Sequence, residues 1–247
     1  MELEGKVAIV TGGGLGIGRH YCEGLAKAGA KVVVADIAVE EARRTADQVG
    51  GTAVNVDVSD PESVQSMVDR ALELTGRVDI LVNNAARFSN LLPRKDFDLI
   101  PVEEWDSVMA VNVRGPWLCC KALAPVLRRQ RSGSIVNISS GTIFGGTPGF
   151  MHYVTSKAAL IGLTRCLARE LGDYGVRVNA ITPGLTSSES AIRVYPQAEL
   201  EDRAQARAFK RQQTPEDLVG TVLFLCSDAS AFITGQIINV DGGTNLH

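Results

Sequence analysis

No apolar segment of this sequence approaches the roughly 20 residues that a membrane-spanning helix needs. The N-terminal segment MELEGKVAIVTGG has an apolar run only as long as a strand, which argues against a signal peptide. A surplus of positive charge is also missing: the formal net charge is −3 and the pI is ≈ 5.7. That balance argues against nucleic-acid or anionic-membrane partners. We therefore expect a cytoplasmic protein that binds neither nucleic acid nor membranes.

Side chains that bind transition metals are few and scattered. The five cysteines are odd in number, lie in apolar helical patterns and include no pair at metal-ligand spacing, and the three histidines are far apart. We expect buried, reduced thiols and no metal site. The residues are Cys22, Cys119, Cys120, Cys166, Cys226, His20, His152 and His247.

Hydrophobic residues make up 45% of the 247 residues, which is enough for a large core. Short apolar runs alternate with helical patterns, as in a parallel sheet whose strands are buried on both faces. This alternation predicts an α/β fold: a Rossmann-type doubly wound sheet of about seven parallel strands with helices on both faces, formed by one domain over residues 1–247. The predicted strands are 6–11, 31–36, 52–57, 79–83, 133–138, 177–181 and 235–240, and the predicted helices include 39–49, 61–76, 102–129 and 215–226.

Tyr153 and Lys157 are four residues apart, so on a helix they share one face. A free phenol has a pKa near 10, and a cation held beside it favours the phenolate. Ser140, at the end of a predicted strand, could donate a hydrogen bond to a substrate oxygen. Together these groups could move a proton on or off an alcohol, although an isolated Tyr-x-x-x-Lys is most often structural.

Strand ends of a doubly wound sheet form the ligand crevice, and four sequence features fall there. The glycine loop with Gly12, Gly16 and Gly18 suits a pyrophosphate, although its spacing is not G-x-G-x-x-G. Asp36 ends the second strand and could accept hydrogen bonds from ribose hydroxyls. Asp57 and Val58 suit an adenine edge, and residues 83–86, including Asn84, could hold the loop open. Capping of helices is the alternative role for each of these Asp and Asn residues.

As a set, these residues resemble the short-chain dehydrogenase/reductase family, in its compact single-domain branch, over essentially the whole chain. The matching residues are Thr11-Gly12-x-x-x-Gly16-Ile17-Gly18, Asp57, Asn83-Asn84-Ala85, Asn112, Ser140, Tyr153-x-x-x-Lys157, Asn179, Pro183-Gly184 and Asp241-Gly242-Gly243.

The resemblance implies that Tyr153 is the catalytic acid/base and that Ser140, with Ser139 as the alternative, polarises the substrate oxygen. It implies that Lys157 binds the nicotinamide ribose and lowers the Tyr153 pKa, and that Asn112 holds a water in a proton relay. The cofactor-binding residues that it implies are Gly12, Leu15, Gly16, Ile17, Gly18, Asp36, Asp57, Val58, Asn84, Tyr153, Lys157, Thr186 and Ser188. Two departures are small: Ala86 replaces a usual Gly, and Ser188 replaces a Thr that commonly contacts the nicotinamide carboxamide.

Cofactor choice is indicated by three positions. Asp36 would repel a 2′-phosphate, no Arg follows it, and Leu15 stands where NADP-preferring relatives often carry a basic residue. We therefore expect NAD rather than NADP, and oxidation of an alcohol in the cell.

Three segments are expected to build the substrate pocket: residues 87–100, residues 142–152 and a lid over residues 184–213. The candidate lining is apolar and aromatic, which favours a cyclic or aryl-alkyl secondary alcohol or ketone over a highly charged one. It comprises Phe88, Phe144, Phe150, His152, Leu185, Ile192 and Tyr195.

Two other functions stay open. One is a 3-oxoacyl-carrier-protein reductase of the same family, which would want NADPH and a basic docking patch. The other is a non-catalytic NAD(H)-binding sensor, although such proteins tend to lose the proton-transfer residues. Family resemblance also implies a homotetramer, and the small residues Ala158, Ala159, Gly162 and Ala168 would allow close helix packing, either between subunits or within the core.

Overall fold

A single parallel sheet of seven strands organises the structure, a computed structural model that describes residues 2–246. The strand order is β3-β2-β1-β4-β5-β6-β7, and every neighbouring pair is parallel. His247, one of the three histidines considered above, lies outside the described residues. The strands are β1 Val7–Thr11, β2 Lys31–Asp36, β3 Thr52–Asn55, β4 Ile80–Asn83, β5 Gly133–Ile138, β6 Val176–Pro183 and β7 Ile237–Val240.

Helices connect these strands and cover both faces of the sheet. They are α1 Gly16–Lys27, α2 Val39–Val49, α3 Pro61–Thr75, α4 Val102–Met109, α5 Gly115–Gln130, α6 Thr142–Gly145, α7 Met151–Leu171, α8 Glu189–Ile192, α9 Gln197–Gln205 and α10 Glu216–Cys226.

Two hydrophobic cores form because neighbouring residues of a strand point to opposite faces. In β1, Val7 and Ile9 pack into a core shared with α3, α5 and α7. Ala8 and Val10 pack into the second core with α1, α2 and α10. The predicted doubly wound α/β fold is therefore confirmed. The strand order reverses between β1 and β4, which is where such folds open a crevice at the carboxyl ends of the strands.

The predicted third strand is too long by two residues. It ends at Asn55 rather than at residue 57, because Asp57 turns away from the sheet. The Asp57 amide donates to Ser63 Oγ at 3.0 Å, and its carboxylate accepts from the Ser59 amide at 2.8 Å. These bonds fix a turn that leads into α3, so Asp57 and Val58 follow the strand instead of ending it.

The predicted helix 102–129 is interrupted. Residues Ala110–Arg114 form a π-helical segment between α4 and α5, and Asn112 lies within it. The Asn112 side chain accepts from the Arg87 amide at 2.8 Å and donates to the Arg87 carbonyl at 3.3 Å. An extra residue in a helical turn leaves no sequence signature, and such segments frequently occur at functional sites.

Residues 184–213, which the sequence predicts to be a polar, irregular lid with at most a short helical excursion, contain two helices, α8 and α9. A parallel bridge between Thr186 and Gln213 joins the two ends of this segment. The lid therefore has regular secondary structure, and its two ends are held together by this bridge.

Four of the five cysteines are buried as predicted, and Cys166 is exposed, which corrects that expectation. The reason is that Cys166 lies on the outer face of α7, together with the exposed Ala158, Ala159 and Gly162. Ala168, by contrast, packs into the core.

No helix among residues 2–246 is both long and apolar enough to cross a membrane. Within the same residues, no three His, Cys, Asp or Glu side chains converge in a group that could hold a metal ion.

The close approach of Gly18 to the glycine loop gives a test of the fold. A Cβ at Gly18 would lie 2.0 Å from the Gly12 carbonyl oxygen and 2.5 Å from Asn84 Nδ2. We expect Gly18→Ala to lower the free energy of unfolding by about 1–3 kcal/mol, because backbone atoms must move. Gly220→Ala in α10, where a Cβ meets nothing within 4 Å, should instead raise it by roughly 0.5–1 kcal/mol. Urea denaturation of both variants checks this, and equal effects would contradict the packing at Gly18.

Candidate active site

A cavity of ≈ 820 Å³ opens at the carboxyl ends of the strands. With one exception, every candidate cofactor and catalytic residue lines it. The exception is Asn112. The lining residues are Gly12, Leu15, Gly16, Ile17, Gly18, Asp36, Asp57, Val58, Asn84, Ser140, Tyr153, Lys157, Thr186 and Ser188.

The glycine loop presents the N-terminus of α1 to this cavity. Leu15 is the N-cap residue in an extended conformation, and its side chain makes no capping hydrogen bond, so the first-turn amides lack a side-chain partner. Gly16 has φ +56, and a Cβ there would meet nothing closer than 3.6 Å. Uncapped amides at a helix N-terminus suit an anionic group, so this part of the site fits the pyrophosphate of a dinucleotide.

The loop is held in place by the end of β4. Asn84 Nδ2 donates to the carbonyl oxygens of Thr11 at 3.0 Å and Gly12 at 2.9 Å. Thr11 Oγ1 in turn accepts from the amides of Asn84 at 3.1 Å and Ala85 at 3.2 Å. These bonds agree with the expectation that the amides after β4 hold the loop open.

Asp36 has a structural role as well as a cavity-facing position. Its Oδ2 accepts from the Gly14 amide at 2.9 Å, and its Oδ1 accepts from the Ala38 amide at 3.0 Å. Each carboxylate oxygen can accept a further hydrogen bond. Asp36 can therefore tie the glycine loop to the start of α2 and still bind ribose hydroxyls.

Asp57 has less free hydrogen-bonding capacity than Asp36. Its Oδ1 accepts from both the amide and the hydroxyl of Ser59, at 2.8 and 2.6 Å, so that oxygen is fully used. Its role towards adenine stays a prediction and would have to use Oδ2. Ser188 Oγ accepts from the Ala191 amide at 3.3 Å as the N-cap of α8, which leaves its hydroxyl proton available to a ligand.

The proton-transfer residues meet at the junction of β5 and α7. Lys157 Nζ donates to the Ile138 carbonyl at 2.8 Å and lies 5.7 Å from the centroid of the Tyr153 ring. Ser139 Oγ donates to the Lys157 carbonyl at 2.7 Å, so Ser139 fixes α7 against β5. Ser140 Oγ accepts from Thr142 Oγ1 at 3.0 Å, and its own proton is therefore free to be donated. This geometry favours Ser140 over Ser139 as the residue that contacts substrate.

The pKa values of Tyr153 and Lys157 are both shifted by burial, and the shift at Tyr153 is opposite to the predicted one. Burial raises the pKa of Tyr153 well above its ordinary value, and contact with the Ser140 hydroxyl only partly opposes that effect. Burial also lowers the pKa of Lys157 to about 8. The expected lowering of the Tyr153 pKa by Lys157 is thus outweighed here by desolvation, which disfavours the phenolate and the ammonium alike.

Asn112 lies behind the cavity. It is fully buried, and its Nδ2 donates to Ser156 Oγ at 3.0 Å, while Ser156 Oγ donates to the Tyr153 carbonyl at 2.7 Å. Asn112 thus supports α7 from the π-helical segment. Its role in a proton relay stays a prediction.

The substrate end of the cavity is lined by aromatic residues and also by charged ones. Of the seven predicted lining residues, Phe88, Phe150, Leu185 and Tyr195 line the cavity, whereas Phe144, His152 and Ile192 do not. His152 is buried with Nε2 3.1 Å from Glu104 Oε1, and Ile192 is 57% exposed on the surface of the lid.

Four arginines that sequence reasoning missed also line the cavity. They are Arg87, Arg94, Arg203 and Arg207. Two of them lie in the pocket segment 87–100 and two in the lid, whereas the predicted lining of those segments contains only apolar and aromatic residues. The expectation of an apolar lining is therefore wrong in part.

Known proteins that resemble this chain include oxidoreductases. Residues 13–245 match the family model described as enoyl-(acyl carrier protein) reductase. The chain is 38% identical to an uncharacterized oxidoreductase of Thermotoga maritima, covering 99% of both chains, and 39% identical to a probable galactose dehydrogenase of Rhizobium meliloti, covering 98% of this chain and 96% of the other. A crystal structure of 3-ketoacyl-(acyl-carrier-protein) reductase from Brucella melitensis, complexed with NADH, superposes with a TM-score of 0.92 at 33% identity, covering 99% of this chain and 100% of the other.

Burial of Lys157 predicts a measurable cost in stability. Its pKa is lowered from 10.5 to about 8, so at pH 7 the folded state holds a buried ammonium. Between pH 8 and 10.5 the unfolded chain binds one proton more than the folded chain, so stability rises with pH in that window. We expect Lys157→Met to raise the free energy of unfolding at pH 7 by about 1–3 kcal/mol, after the loss of the hydrogen bond to Ile138.

Denaturant titrations at pH 7 and pH 10 measure this effect, and the gain should shrink at the higher pH. Lys31→Met, at an exposed position of β2, is the matched control and should show little change at either pH. A Lys157→Met protein that is less stable than the parent at pH 7 would contradict the assigned cost.

Proposed function

The chain belongs to the short-chain dehydrogenase/reductase family, and on that premise we propose that it transfers a hydride between NAD(H) and a secondary alcohol or ketone. Proteins of this family are oxidoreductases that bind a nicotinamide cofactor. The observation that carries the proposal is the convergence of Ser140, Tyr153 and Lys157 in the cavity that also contains the uncapped glycine loop.

The chain's own residues supply binding and proton transfer, while the dinucleotide, when bound, supplies the hydride acceptor or donor. Ser140 Oγ already accepts from Thr142, so its proton is donated to the substrate oxygen and orients it. Tyr153 Oη takes the proton from an alcohol during oxidation and returns it to the oxygen of a ketone during reduction.

Lys157 is the chain's own cation beside the Tyr153 phenol, with Nζ 5.7 Å from the ring centroid. Because burial raises the pKa of Tyr153, this one ammonium does not make the phenol a base at neutral pH. A second positive charge beside the phenol, brought by an oxidised nicotinamide, would favour the phenolate further. We therefore expect Tyr153 to act as a base only after the oxidised dinucleotide has bound.

Preference for NAD over NADP is supported by the end of β2. The Asp36 carboxylate faces the cavity, and Ile37, which follows it, also lines the cavity and carries no charge. A 2′-phosphate would be repelled by Asp36 and would find no cation at Leu15 or Ile37.

The substrate is proposed to be a cyclic or aryl-alkyl secondary alcohol or its ketone. Phe88 and Phe150 lie with ring centroids 5.5 and 4.8 Å from the Tyr153 ring, and Tyr195 lies 6.2 Å from Phe88. A flat or cyclic group beside the reacting carbon would pack against these rings.

A second candidate is the reduction of 3-oxoacyl groups on an acyl carrier protein, favoured by the likeness to the reductase from Brucella melitensis. Such a reaction requires the 3-oxo group, which lies next to the thioester that links it to the carrier protein, to reach Tyr153 past the lid. It would be distinguished by activity on 3-oxoacyl thioesters greater than on aryl ketones.

We also propose that the protein is a homotetramer in which α7 contributes to a subunit contact. Ala158, Ala159 and Gly162 are exposed on one face of α7, and a Cβ at Gly162 would meet nothing within 4 Å. Small exposed residues on a 21-residue helix allow a second copy of that helix to approach closely.

The first test is a screen of secondary alcohols and ketones with NAD and NADP, followed by nicotinamide absorbance. We expect turnover of aryl or cyclic substrates with NAD, and Tyr153→Phe should lower kcat about 10²–10⁴-fold because the acid/base group is lost. NADH binding by Tyr153→Phe, measured by fluorescence titration, should stay within about twofold of the parent, since the ring is retained.

Two results would overturn this proposal. Equal catalytic efficiency with NADP would remove the NAD preference. Turnover that survives Tyr153→Phe would remove the assigned acid/base, and binding of NADH without turnover of any substrate would favour a sensor.

The tetramer is tested by Gly162→Arg. The arginine has room in an isolated subunit, because nothing lies near the position, but it would clash with a second α7. We expect the molar mass in light scattering to fall below that of a tetramer, while Ser66→Arg, at an exposed position of α3, leaves the mass unchanged. A tetramer that survives Gly162→Arg would exclude α7 from the subunit contact.

A further inference from the structure

We infer that the substrate carries a carboxylate and that Arg94 binds it at the end of the aromatic pocket. This inference rests on the proposed function and adds a charge requirement to it. It is carried by the distribution of charge along the cavity, by the position of Arg94 on two pocket rings, and by the incomplete ionic pairing of Arg94.

Charges are separated along the cavity. The carboxylates that line it are Asp36, which ends β2, and Asp57, which follows β3, on the side where the adenosine half of a dinucleotide would bind. At the catalytic end, within residues 2–246, the lining has no carboxylate and includes Lys157, Arg87, Arg94, Arg203 and Arg207. A neutral ketone would gain nothing from these cations, whereas an anionic substrate would be attracted and oriented by them.

Arg94 is separated from the Tyr153 ring by the ring of Phe150. Its guanidinium carbon lies 6.0 Å from the centroid of Phe150 and 5.9 Å from that of Tyr195. Phe150 in turn lies 4.8 Å from the Tyr153 ring. A substrate with its carbonyl at Tyr153 and an apolar or aromatic body along Phe150 would therefore direct a distal group towards Arg94.

The ion pair between Arg94 and Glu199 has a long N–O distance, and Glu199 is shared with Arg203. Arg94 Nη2 lies 3.5 Å from Glu199 Oε1, and the same oxygen accepts from Arg203 Nη2 at 3.1 Å and Nε at 3.3 Å. Two guanidinium groups thus face one carboxylate, which leaves a net charge of about +1 that one substrate carboxylate would neutralise. The Arg94 side chain is 30% exposed, so its donors are accessible from the cavity.

The other two arginines, Arg207 and Arg87, make hydrogen bonds to the protein itself. Arg207 is 4% exposed and donates to the carbonyls of Leu185 and Arg211, at the two ends of the lid. Arg87 donates to the Ser107 hydroxyl beside the π-helical segment. Arg94 and its neighbour Arg203 are therefore the cations best placed to meet a distal carboxylate.

The test uses two ketones of nearly identical shape, 4-acetylbenzoate and 4-acetylbenzamide. Each is titrated by calorimetry into the protein saturated with oxidised NAD, where the ketone cannot be reduced. We expect 4-acetylbenzoate to bind about 10–100-fold more tightly than the amide, because a bidentate guanidinium–carboxylate pair replaces a neutral contact.

Two variants should move this preference in opposite directions. Arg94→Met keeps an apolar stem on the rings and should reduce the preference to about onefold to threefold. Glu199→Gln removes the competing carboxylate and should increase the preference severalfold, which a general loss of folding would not do. Arg128→Met is the matched control, because Arg128 lies 5.3 Å over the Tyr174 ring outside the cavity, and it should change nothing.

Equal binding of the two ketones, or a preference that survives Arg94→Met, would overturn the inference. Failure of the proposed function would look different: neither ketone would be reduced with NADH, while the binding preference would still report on the carboxylate site. Reduction of the amide at the same kcat/KM as the acid would leave the dehydrogenase intact and refute the charge requirement.

Discussion

Burial of the Lys157 ammonium at the junction of β5 and α7 is the constraint on which the site depends. The Lys157 ammonium donates a hydrogen bond to the carbonyl of Ile138, the last residue of β5. Desolvation is only partly offset by such a bond, so the surrounding structure must keep the side chain in place. The Ser139 hydroxyl does this by bonding the Lys157 carbonyl, which fixes α7 to the strand. The Lys157 side chain is therefore oriented by the carbonyl at the end of β5, and α7, which carries both Tyr153 and Lys157, is held there by the Ser139 hydroxyl.

The cofactor half of the cavity is built by the same means. The Asn84 side chain donates to the carbonyls of Thr11 and Gly12 at the start of the glycine loop, and the Thr11 hydroxyl accepts from the Asn84 amide. Asp36 accepts from the Gly14 amide on the other side of the loop. These contacts join β1, β2 and β4 around the point where the strand order reverses. Because the loop is held by side chains of the sheet, its amides at the start of α1 remain open to a ligand. Asp36 and Asn84 therefore have a structural role in holding the loop and also line the cavity.

Charge divides the cavity into two regions. Carboxylates line the region that suits adenosine, and guanidinium groups from residues 87–100 and from the lid line the region that suits substrate. The lid also affects the charge of this region, since Glu199 and Arg203 of α9 pair with each other and Glu199 also lies 3.5 Å from Arg94. Under the proposed function, the aromatic rings around Tyr153 would select substrate by shape, and the arginines beyond them would select it by charge.

The sequence by itself determined the strand and helix alternation, and with it the parallel sheet and the crevice at its carboxyl edge. It also located Gly12, Asp36, Ser140, Tyr153 and Lys157, because each is tied to a strand end or a helix spacing that local patterns reveal. Only the tertiary structure decided the π-helical segment at Asn112, the exposure of Cys166 and the turning of His152 towards Glu104. It alone brought Arg94 onto Phe150 and Tyr195. Those outcomes depend on contacts between segments far apart in the chain, and such contacts leave no periodicity in the sequence.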